Sequence, residues 1–89
     1  MAKRAAELDK RAGHIVFDRL WKSHNNPEWF RSVCYWWLAE QMGMTRETCR
    51  FANFTEEQAV KAIRISRSGD PRKISHWWRM KKNERRAAA

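Results

Sequence analysis

The chain has 89 residues, and its nineteen Lys and Arg against ten Asp and Glu leave it at +9. That balance points toward phosphate backbones, anionic membrane surfaces or acidic proteins as partners. No apolar run approaches the ~20 residues of a membrane span, and Ala2 to Arg11 lacks the apolar stretch of a signal peptide, so the expected location is cytoplasmic.

In that compartment Cys34 and Cys49 are expected as reduced thiols. A domain of this size buries only about 60% of its unfolded surface. Six tryptophans, four phenylalanines and a tyrosine are the rings available to make a small core dense.

The first helix is expected over Ala2 to Ser23. Leu8, Ala12, Ile15, Val16, Arg19 and Leu20 trace one face, widened by Phe17 and Trp21. Gly13 interrupts it at a cost of roughly 1 kcal/mol relative to alanine, which admits close packing in exchange. After the polar break Ser23 to Asn26, a second helix runs from Pro27 to about Met42. Asn26 caps it, Pro27 takes its first position and Glu28 meets its positive end. Tyr35, Leu38, Ala39 and Met42 form one stripe, and Phe30, Val33, Trp37 and Leu38 an overlapping one. An apolar surface that wide predicts burial on more than one side. Trp29 and Trp36 point elsewhere.

Gly43 is placed to end this helix in a left-handed conformation. Thr45 then caps a short third helix from Arg46 to about Phe51. Thr55, with Gln58 in the capping-box position, opens a fourth helix from Glu56 to about Ser66, with Ala59, Val60 and Ile63 on its buried face. Asp70-Pro71 opens a fifth, to about Arg86. No stretch alternates as a strand. The expectation is one all-α domain over 1–89, a compact bundle of four or five helices, with 1–11 and 87–89 frayed.

The run from Leu38 to Cys49, LAEQMGMTRETC, has the spacing of a helix-turn-helix: Ala39 small at the crossing, Gly43 in the turn, and Leu38, Met42, Met44 and Cys49 inward. Met44 to Thr48 is similar to the start of the recognition helix in cyclic-AMP-receptor-type regulators. That resemblance implies a second helix in the major groove, with Arg46 reading guanine and Thr45 or Thr48 on phosphate. The same pattern also suits a helical hairpin that meets no DNA.

Three further segments, His14 to Trp21, Tyr35 to Gly43 and Cys49 to Gln58, resemble the C-terminal half of certain phage and prophage proteins. That family carries a zinc ribbon ahead of an AHxxFDxLW-type helix, a YxWLAxxLG helix and a CHIGMFD-type connector. The ribbon's paired cysteines have no counterpart here, and Arg50 stands at the connector's histidine, so zinc binding does not carry over. The resemblance implies a phage origin rather than a mechanism.

Residues 70–89 hold +5 of the total charge. There Arg72, Lys73, Arg79, Lys81, Lys82, Arg85 and Arg86 interleave with Trp77 and Trp78, giving cations for phosphate and rings for unpaired bases. A bland reading puts Ile74, Trp77 and Trp78 on the core with the cations solvated. No Cys or His pair has metal-ligand spacing and no Gly-rich phosphate loop occurs, so neither an enzyme nor a metal or other cofactor is expected. The expected function is nucleic-acid binding, DNA before RNA, through the C-terminal cations with Arg46, Arg50 and Trp78. The alternative is a phage-encoded inhibitor or adaptor, such as an anti-defence protein, bound to a host nucleic-acid-handling complex. A third reading is a subunit that oligomerises through its tryptophans.

Overall fold

In the computed structural model the described residues are 13–88, with side chains described as far as Asn83. They form an all-α bundle: α1 (13–18), α2 (Pro27–Met42), α3 (Glu56–Ser68) and α4 (Pro71–Ala88), with a 3-10 turn at Phe51–Asn53 between α2 and α3. No strand occurs among the described residues. Of the ends expected to fray, 87–88 continue α4, while 1–11 and 89 lie outside the described residues.

The bundle is arranged around α2, which packs against both α3 and α4. Phe30, Val33, Cys34, Tyr35, Leu38, Ala39 and Met42 are all buried, so both predicted stripes reach the core. Burying such side chains is worth about 1.5–3 kcal/mol each for the larger ones. The ends form as their sequence dictates. Asn26 accepts from the Trp29 amide at 3.5 Å, and Gly43 sits at φ 67°, with its N–H returned to the last turn of α2. An L side chain at that φ is strained.

At α3 the capping box closes in both directions, Thr55 N–H to Gln58 Oε1 at 2.9 Å and Gln58 N–H to Thr55 Oγ1 at 3.2 Å. Asp70 receives the Arg72 amide at 2.9 Å at the start of α4.

Three expectations are corrected. The first helix does not continue to Ser23. After residue 18 the chain passes through turns held by Leu20 N–H to Phe17 O and Trp21 N–H to Asp18 O, and Asp18 Oδ1 accepts from the Trp21 indole at 3.0 Å. Its inward face is Gly13, Phe17 and Leu20, whereas Ile15 is 60% exposed and Arg19 also faces solvent. The predicted Leu8 and Ala12 lie outside the described residues. On α3 the buried residues are Ala59, Ala62 and Ser66, with Val60 exposed.

The third correction concerns the centre. No α-helix spans Arg46 to Phe51: a turn at 46–48 leads to extended residues 49–50 and then the 3-10 turn. Thr45 makes the predicted cap, its Oγ1 accepting from the Thr48 amide at 3.3 Å and its carbonyl from the Thr48 hydroxyl at 3.2 Å, but the chain leaves the helical path after this one turn. Beyond it Cys49 and Phe51 both point inward and Arg50 outward, the alternation of extended chain. The inward set predicted for the pair is nevertheless in place: Leu38, Ala39, Met42 and Cys49 are buried, with Met44 packed against them.

Candidate nucleic-acid interface

Ile74 anchors α4 at 1% exposure, and half-buried Trp78 packs on the same core. Residues four, three and four apart share a helix face, so Arg72, His76, Arg79 and Asn83 form a line opposite Ile74. All four are exposed, as are the flanking Lys73 and Lys82. Among the described residues no carboxylate pairs with Arg72, Lys73, Arg79 or Lys82. The fold has brought their charges to one ridge.

Lys81 is different. It lies on the inner side of α4, where its Nζ meets Glu40 Oε1 of α2 at 2.9 Å. Predicted as a phosphate contact, it is an inter-helix ion pair. Arg85 and Arg86 belong to α4 beyond the last described side chain.

Arg46 does not project from a recognition helix. It is half-buried, with its guanidinium 4.6 Å from the Tyr35 ring centre, a cation–π distance. Arg31 stands 5.5 Å from the same ring and 5.6 Å from Trp21. These two, with Arg50 and His14, line a hollow of about 260 Å³ floored by Tyr35 and Phe51. Sequence reasoning named Arg46 and Arg50 for this surface but missed Arg31 and His14. Arg31 had a signal, since it precedes Tyr35 by one helical turn. His14 had none, because only folding brings its ring, tilted, to 4.5 Å from that of Phe51.

On the other side of Arg46, between α2 and α4, runs a groove of about 550 Å³. Its walls include Trp36, Met44, Trp77, Trp78 and Lys81. Trp36 in this wall is 39% exposed.

The cysteines take no part in this surface. Both are free thiols at 0% exposure. Burial pushes the Cys34 thiol up to about 12. It also pushes Cys49 up to about 11, although the charge of Arg46 works against it. In the unfolded chain both would ionise near the ordinary thiol value of about 8.5. The unfolded state therefore loses protons first as pH rises, and stability falls with pH above that point. The urea midpoint is expected to be lower at about pH 10 than at about pH 8, with native thiols unreactive toward a disulfide reagent at the lower pH.

Comparison with curated proteins and with solved structures gave no match. Residues 1–69 match a family described as a zinc-finger-containing domain. The described residues do not fit a zinc ion. No three His, Cys, Asp or Glu side chains come together among them to hold one. No described helix is long and apolar enough to cross a membrane. With most of its length matched, the chain belongs to the zinc-finger-containing family, a membership that fits nucleic-acid binding at a coarse level.

Proposed function

We propose that this is a small phage-type nucleic-acid-binding protein without catalysis, and that α4 supplies its affinity for DNA. The observation that carries the reading is the exposed ridge of Arg72, Lys73, Arg79 and Lys82, which no carboxylate neutralises among the described residues. A row of exposed cations on one helix face matches the phosphates of a duplex. The motif resemblance of His14 to Trp21 and Tyr35 to Gly43 supports the phage origin. Base reading by a second helix is not part of the proposal, since residues 46–50 form a turn and extended chain.

Fluorescence anisotropy with a duplex probe over a salt series tests it. The expected result is binding whose logarithm falls linearly with the logarithm of salt, by about 0.9 per phosphate contact. Absence of binding at low salt would refute the proposal.

A second reading, an inhibitor or adaptor on a host nucleic-acid-handling complex, is favoured by the apolar side chains left outside: Ile15 at 60%, Met80 at 49% and Trp29 at 47% exposure. Tryptophan is a frequent interface anchor. A stoichiometric protein retained from nuclease-treated lysate, and lost with Trp29→Ala, would replace the first reading by this one.

A further inference from the structure

The geometry points to a second binding site, for single-stranded nucleic acid. The arginine hollow takes a backbone phosphate, and the tryptophan-lined groove beside it takes the attached base. This rests on the nucleic-acid reading but lies away from the α4 ridge. The ridge is opposite Ile74, whereas Trp77, Trp78 and Lys81 on the inner side of α4 line the groove.

Three segments build the hollow: His14 from α1, Arg31 from α2, and Arg46 with Arg50 from the loop before the 3-10 turn. Three guanidiniums converge there, and among the described residues no carboxylate lines it. Like charges brought together repel, and the Tyr35 ring face offsets this only in part. A phosphate would complete the cluster, because guanidinium groups bind its oxygens in pairs.

Arg46 lines both spaces, so the groove begins where the hollow ends. The groove differs in character: it is aromatic, with Trp36, Trp77 and Trp78 in its wall and with Glu40 and Glu47 balanced by Lys81 and Arg46. Glu47 can accept hydrogen bonds from base amino groups, while the ring faces suit stacking. A duplex keeps its base faces stacked within, so filling both spaces requires an unpaired nucleotide.

The test uses the full chain, a short mixed-sequence single-stranded oligodeoxynucleotide, and a blunt duplex of the same sequence. Arg31→Ala with Arg50→Ala, both exposed positions, is expected to weaken single-strand binding about tenfold and to lower its salt slope by about 0.7 per lost phosphate contact. Trp36→Ala is expected to weaken it at least about fivefold, as the loss of one stacked base does, and Trp36→Phe to restore most of it. Duplex affinity should change by less than about threefold in each, since rim positions distant from the ridge share no contact with it. Melting curves confirm that the variants fold.

Equal losses on both probes, or none on the single strand, would overturn the inference. So would displacement of the oligonucleotide by an acidic peptide at equal concentration, which would assign the site to a protein ligand. Wild-type protein that binds duplex and not single strand overturns this inference alone. Failure to bind either probe overturns the α4 reading as well.

Discussion

Reversing two charges on the exposed ridge, Arg72→Glu with Arg79→Glu, is expected to reduce duplex affinity by at least roughly 60-fold at about 0.1 M salt. The figure follows from counterion release: each lost phosphate contact removes about 0.9 from the salt slope, and two contacts account for nearly two decades at that salt. The new carboxylates repel phosphate and add to the loss. Stability should hardly move. Both side chains are exposed, and surface changes are usually within about 0.5 kcal/mol. Arg72 is the second residue of α4, where a carboxylate meets the positive end of the helix and is mildly favourable. Affinity that survives the double reversal, with an unchanged salt slope, would remove α4 from the interface. Lys81→Ala is the contrasting control. Its ion pair with Glu40 is more than a third exposed on both sides and is worth at most about 1 kcal/mol, so its loss should leave the salt slope unchanged.

Much of the fold was legible because short-range chemistry determines it. Asn26, Gly43, Thr55 with Gln58, and Asp70 each act within one helical turn, and each makes its predicted contact or conformation. The twin stripes of α2 were legible for a similar reason, since helical spacing alone places them. What failed depended on competition between local and distant contacts. Thr45 caps a turn as its pattern predicts, but the core drew in Cys49 and Phe51 and the turn went no further. Helical spacing also put Ile15 inward on α1, whereas the face that packs is set by Gly13, whose missing side chain leaves room for the Phe51 ring. The basic ridge was legible as charge but not as a face, because only burial of Ile74 separates Arg72 and Arg79 from Lys81. The arginine hollow gathers residues as distant as His14 and Arg50, and no spacing rule connects them.

That hollow depends on one residue of the 3-10 turn, which yields the largest expected effect on stability. Phe51→Ala should cost about 3–5 kcal/mol, measured by urea denaturation. Phe51 is 1% exposed and touches the rings of His14, Phe17 and Phe54, with centroids at 4.5, 5.8 and 5.1 Å. It also fills the space that Gly13 leaves: a methyl group there would lie 2.5 Å from its Cε1. A single ring thus joins α1 to the chain that leads into α3. A domain of this length is expected to hold only about 4–13 kcal/mol in all, so the loss takes a large share and should lower the melting temperature by tens of degrees, at about 4–8 °C per kcal/mol. A loss below about 1 kcal/mol would mean that the turn is not docked on α1 in solution. Because Phe51 and Tyr35 floor the hollow, the same substitution should abolish single-strand binding below the melting point while α4 still holds duplex. The core contact and the arginine cluster would then be two consequences of one docked turn.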